Sequence, residues 1–128
     1  MTTQGYRLGS ILALGGNTAH TFANCIACEG LSEIERYEFL HSALRELVSA
    51  GLATWVFESD YGDKPPTKPD SFSTESFERD WSRCFIGAIR RHDIPCAENP
   101  TLFIDPTETL PRALDEYESR NFANDRNA

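Results

Sequence analysis

The chemically most suggestive residues in this chain are two cysteines one helical turn apart, Cys25-Ile-Ala-Cys28, with His20 five positions upstream. Thiols at i and i+3 of a helix point the same way. With Cys84 or Cys96 brought in by the fold, they and His20 would be the donor set of a tetrahedral zinc site. Structural zinc sites ordinarily draw on two closely spaced pairs, however, and eleven residues separate Cys84 from Cys96. A redox reading also falls short, because no aromatic-rich strand delivers the first cysteine to a helix N-terminus. Cys25 and Ile26 fall on the apolar stripe of their segment. The sequence therefore predicts small core side chains here, with no metal and no other cofactor.

Nucleophilic catalysis needs a Ser, Cys or Lys beside His and carboxylate partners. His20, His41 and His92 lie on three different segments, and no nucleophile elbow is present. His41 belongs to an apolar stripe, where a hydrogen-bonded core histidine is expected, and His92 suits the negative end of a helix dipole. Gly15-Gly16-Asn17-Thr18 offers free amides ahead of a helix but lacks the lysine of a phosphate-binding loop, so it reads as a turn and N-cap. The expectation is a protein that is not an enzyme.

Most sharply defined of the elements that would position these residues is the helix between Ser32 and Gly51. Ile34, Tyr37, Leu40, His41, Leu44, Leu47 and Val48 recur at steps of three and four, which gathers them on one stripe. Ser32 and Glu35 form a capping box: the hydroxyl accepts from the Glu35 amide while the carboxylate reaches back. Gly51 stands where a left-handed residue closes such a helix. Its exposed face then carries Glu33, Glu35, Glu38 and Glu46 against Arg36 and Arg45. Upstream, Thr18 caps a helix that ends near Glu29–Gly30, whereas the glycines of Tyr6–Leu14 leave that stretch ambiguous.

Downstream, residues 52–59 (LATWVFES) read as a strand. In residues 59–72 (SDYGDKPPTKPDSF), Pro65, Pro66 and Pro69 exclude helix and central strand and predict an exposed loop. A second amphipathic helix spans Ser73–His92 through Phe77, Trp81, Cys84, Phe85, Ala88 and Ile89. TLFI (101–104) is a short strand. A closing helix follows with Leu110, Ala113, Leu114 and Tyr117 on one side and Pro111 in its first turn. Residues 1–120 thus read as one globular domain, with 73–93 as an inserted helix and 121–128 as a frayed tail.

LHSALRELVSAGLATW (40–55) resembles the stretch of winged-helix proteins in which the third helix runs into the first strand of the wing. TLFIDPTETLPRALDEY (101–117) is similar to the returning strand and closing helix. The resemblance implies a mainly α domain with a small β-ribbon (α+β), a degenerate winged-helix-like fold. Two features depart from it. The connection between the strands holds a whole extra helix, and the helix that would read DNA is acidic where DNA-binding relatives carry Lys, Arg, Asn or Gln.

Charge narrows the function classes. Twenty acidic residues against twelve basic ones give a net charge of −8. Such a field opposes nucleic acid, whose binding draws on counterion release by a basic surface, and favours a basic protein partner. No apolar run reaches the roughly 18–20 residues that span a bilayer, and the N-terminus lacks a secretory pattern, so a cytoplasmic protein with reduced thiols is expected. The expected function is a non-enzymatic acidic interaction module, with a toxin-neutralising immunity- or antitoxin-like protein as one instance; self-association as a homodimer is left open. Its partner-binding residues would be Glu33, Glu38 and Glu46 on the long helix, Asp60, Tyr61, Asp63 and Asp70 in the Pro-rich loop, and Glu116 on the last helix. The alternative is a winged-helix regulator that contacts phosphates through Arg79, Arg83, Arg90 and Arg91, with Glu78 and Asp80 diluting their field.

Overall fold

Thr2 opens the first helix by accepting the Gly5 amide on its hydroxyl, and the computed structural model carries this helix, α1, from Thr3 to Leu12. The structure describes residues 1–26, 30–58, 66–91 and 101–126. The glycines that make α1 ambiguous in the sequence are contact points. A Cβ on Gly5 would stand 2.6 Å from the Glu46 carboxylate, and one on Gly9 would stand 3.1 Å from a Leu114 methyl. Helix propensity is given up where neighbours must approach closely.

After α1, Asn17–Thr18 form a two-residue strand, β1, in what the sequence presents as a turn. The approach is close: a Cβ on Gly16 would meet Asp105 Oδ1 at 2.2 Å and the Ile104 carbonyl at 2.7 Å. Thr18 also caps α2 (Ala19–Cys25) by accepting from the Thr21 amide. The predicted extension of this helix over residues 27–29 lies outside the described residues.

The long helix, α3, runs from Glu33 to Ser49 with both halves of its capping box formed: Glu35 N to Ser32 Oγ at 3.2 Å and Ser32 N to Glu35 Oε1 at 3.0 Å. It closes at Gly51, which adopts φ +73°. Then come β2 (Ala53–Glu58), α4 (Thr74–Arg91), β3 (Thr101–Pro106) and α5 (Leu110–Arg126). The strands make one antiparallel sheet in the order β1-β3-β2, with Trp55 opposite Ile104 and Asn17 on the other side of that same Ile104. The molecule is mostly helical with this small sheet, as the α+β reading expects. Among the described residues no helix is long and apolar enough to cross a membrane.

A single core joins all these parts. Leu8 and Leu12 of α1, Leu40, Leu44 and Leu47 of α3, Trp55, Leu102 and Ile104 of the sheet, and Leu110 of α5 are fully buried. Phe77 and Trp81 are buried equally deeply, so α4 is a structural member of the domain and not an appendage. Each such ring contributes on the order of 1.5–3 kcal/mol by leaving water. The chain end differs from the expected frayed tail, since α5 continues to Arg126. Phe122 meets Tyr6 and Tyr117 edge-on, with ring centroids 5.9 and 6.1 Å apart, and Tyr6 stacks on Tyr117 at 4.4 Å. These aromatic contacts with α1 give the late turns of α5 something to pack on.

Candidate interaction surface

The capping box fixes where the acidic residues of α3 begin. Glu33 and Glu38 are exposed, and neither has an ion-pair partner among the described residues. Glu35 is exposed as well, but its carboxylate accepts the Ser32 amide, which holds its pKa below the ordinary carboxylate value. On the same half of the helix Tyr37 is buried. Loss of hydration, reinforced by the charge of Glu33, pushes its hydroxyl up to about 12.

The C-terminal half of α3 is contacted along one flank by α4, with Arg45 and Ser49 still exposed. His41, Arg45 and Ser49 stand four residues apart, a spacing that sets them along one stripe, and each meets α4. His41 Nε2 lies 2.8 Å from Glu78 Oε2, Arg45 Nε lies 3.4 Å from Glu78 Oε1, and Ser49 Oγ lies 2.7 Å from Thr74 Oγ1. The His41 ring also stacks on Trp81 at 4.8 Å, 12° from parallel. His41 is thus the hydrogen-bonded histidine expected, although half-exposed. The same stripe continues towards the N-terminus through Glu38, which α4 leaves open.

Several expected positions are rearranged. Glu46 does not belong to the open face: it is half-buried, and its carboxylate accepts from the Thr2 amide and hydroxyl, tying α3 to the start of α1. The signal was invisible locally, because the partner lies 44 residues away. Glu116 is exposed on α5, 3.8 Å from Arg112, and with Glu46 it borders a cleft of about 480 Å³ floored by Leu47, Leu52 and Ala113. That cleft stands apart from Glu33, since thirteen residues of helix span about 20 Å. Asp70 borders a different hollow, beside Lys68, Arg79 and Arg83. Asp60, Tyr61 and Asp63 lie outside the described residues.

Of the two acids expected among the α4 arginines, Asp80 stays with them, its Oδ1 3.7 Å from Arg79 Nε and 3.8 Å from Arg83 Nη1, and Glu78 does not. Glu78 turns to α3. Asp80 is 4% exposed and accepts from the Trp55 indole at 2.9 Å. Lys68, absent from the sequence-based site, borders the same hollow as Arg79 and Arg83. The Arg90 and Arg91 side chains lie outside the described residues.

The cysteine reading changes too. Cys25 is exposed and off the apolar stripe, while Ile26 and Cys84 are buried. A helix of seven residues turns Cys25 away from the core that Phe22 and Ile26 enter. The imidazole of His20 is engaged elsewhere: Nδ1 bonds the Tyr37 hydroxyl and Nε2 lies 3.3 Å from Asn24 Nδ2. Among the described residues, no three His, Cys, Asp or Glu side chains gather in a way that could hold a metal ion. Cys28 and Cys96 lie outside them. Comparison with family models, curated proteins and solved structures found no match to this chain.

Proposed function

We propose that this chain is a non-enzymatic protein-interaction domain on a winged-helix-like scaffold, and that the N-terminal half of α3 presents acid to a basic protein partner. Support for the scaffold comes from the order helix, strand, two helices, strand, with a returning strand that pairs between the first two. In that reading α3 is the helix that would face DNA, and α4 is a helix inserted between the wing strands.

One observation carries the functional reading. Arg45, a cationic side chain of α3, is drawn to Glu78 together with His41, while Glu33 and Glu38 remain exposed and unpaired among the described residues. A phosphate backbone approaching the N-terminal half of α3 would meet the exposed Glu33, Glu35 and Glu38 ahead of the half-buried Arg36. A basic protein surface would meet complementary charge. A toxin-neutralising immunity- or antitoxin-like protein is one instance of this class, and its location in the cytoplasm is part of the proposal.

The test is retention of binding partners from a lysate of the source organism, with its nucleic acid left intact, at low salt, comparing the native chain with E33K/E38K. Basic proteins held by the native chain and released by the double variant are the expected outcome. Recovery of nucleic acid alone, weakening steeply as salt rises, would sink the proposal. A DNA-binding regulator is the second reading, and its favouring observation is the outward placement of Arg79 and Arg83 beside Lys68. Gel shifts with random DNA at low salt separate the two.

A further inference from the structure

We propose that the hollow between α4 and the segment Thr67–Asp70 is an oxyanion site that takes a phosphate group through Lys68, Arg79 and Arg83. The hollow measures about 160 Å³ and is lined by Phe57, Thr67, Lys68, Pro69, Asp70, Arg79, Asp80 and Arg83. That is room for about five waters, enough for one tetrahedral oxyanion with part of its hydration. Three cations face it against two carboxylates, in a chain whose net charge is −8. The local sign is reversed where the overall field is unfavourable to anions, so the attraction must come from contact geometry.

That geometry is partly set in advance. The Arg83 guanidinium lies over the Phe57 ring, 4.3 Å from its centroid, which restrains its position. Asp80, anchored from below by the Trp55 indole, holds Arg79 Nε at 3.7 Å and Arg83 Nη1 at 3.8 Å from its Oδ1. Those separations give Coulomb attraction without hydrogen bonds. The N–H groups of both guanidinium forks thus remain unspent among the described residues, and Lys68 has no ion pair there. Arg79 and Arg83 stand one helical turn apart on α4, so both can donate to one ligand. A guanidinium fork matches two oxygens of a phosphate, and an ammonium adds a point charge. Thr67 is held in place by two backbone bonds of 2.8 Å with Phe57, which brings Lys68 to the rim.

The shared chemistry is a phosphate dianion, whether free or terminating a small monoester. The proposal stands independently of the acidic face of α3. Inorganic phosphate and phosphoserine, titrated separately at constant ionic strength, should each give saturable shifts of the Arg79 and Arg83 Nε–Hε resonances and of Trp55 fluorescence. Dissociation constants in the millimolar range are expected, the tighter of the two ligands identifying the source. R79Q/R83Q should weaken both by at least tenfold, and K68Q by about threefold; all three side chains are exposed, so the fold should survive, which circular dichroism checks. Linear, non-saturating shifts, or a saturable fluorescence response that persists unweakened in R79Q/R83Q, would overturn the assignment. So would shifts with duplex DNA alone, which would move these arginines to the regulator reading.

Discussion

Helix α4 is fastened to the rest of the domain by two carboxylates that meet ring nitrogens, and the two fastenings have opposite surroundings. Asp80 is 4% exposed and takes the Trp55 indole, whereas the Glu78 side chain is 34% exposed and takes His41 and Arg45. Hydrogen-bond chemistry is similar in both. Water is the difference: the Glu78 side chain is partly open to solvent, although its Oε1 is buried without a hydrogen-bond partner, and Asp80 is closed off. A buried acceptor therefore specifies where α4 sits, and a half-exposed one adjusts how firmly its outer face lies on α3.

The largest effect should follow removal of the buried acceptor. Asp80→Ala leaves the Trp55 N–H without a partner and should cost about 2–3 kcal/mol in urea denaturation. A cost equal to that of an exposed substitution would erase the contrast. Next comes the pair itself. Because neither group is stranded when both are gone, D80A/W55F should lose about 1–2 kcal/mol less than the two single variants added together. Strict additivity would mean that the bond merely accompanies the packing. Glu78→Gln should cost less than about 1 kcal/mol, and the difference from native should shrink in high salt, as screening of an exposed pair requires. A salt-independent loss would place Glu78 with Asp80.

At neutral pH the smallest effect comes from the third ring contact, Tyr37 with His20. A tyrosine raised to about 12 in the fold and near 10 when unfolded contributes stability in full below pH 10 and loses it as pH rises through 12. Tyrosinate absorbance should show Tyr37 ionising late beside Tyr6, whose pKa is also raised by its bond to Glu118. His20→Ala should not bring Tyr37 back to the ordinary value, since burial is the larger cause. An ordinary titration in the native chain would contradict the burial of Tyr37.

What was legible in the sequence is what short-range chemistry determines. The limits of α3 follow from Ser32, Glu35 and Gly51, all within or beside the helix, and structure and sequence agree on them. β1 was hidden because two residues, Asn17 and Thr18, carry no alternation, and their pairing depends on Gly16 lying against Ile104 and Asp105. The amphipathic pattern of α4 was plain, but periodicity indicates that a face is buried and not what it is buried against. Glu78, legible only as one acid among the arginines, turns instead to α3, and Asp80 serves both the arginines and the buried Trp55 indole. Glu46 and Cys25 went astray for related reasons, one because its partner is distant in the chain, the other because a seven-residue helix tolerates a small error in phase. For the candidate surface, Glu33 and Glu38 were readable from helical geometry, while the contacts that α4 makes with His41, Arg45 and Ser49 were not.

The bridge between Phe57 and Thr67 has a consequence for solubility. β2 is the outer strand of the sheet, and a bare margin is a template on which a second molecule could add its own strand. The chain folds its own Thr67 onto that margin, and prolines flank the visitor at positions 66 and 69. Proline has no amide hydrogen, so the segment that stops the sheet cannot extend it. The opposite margin, only two residues long, offers little to grip. The Phe57 end of the β2 margin is occupied by the chain itself.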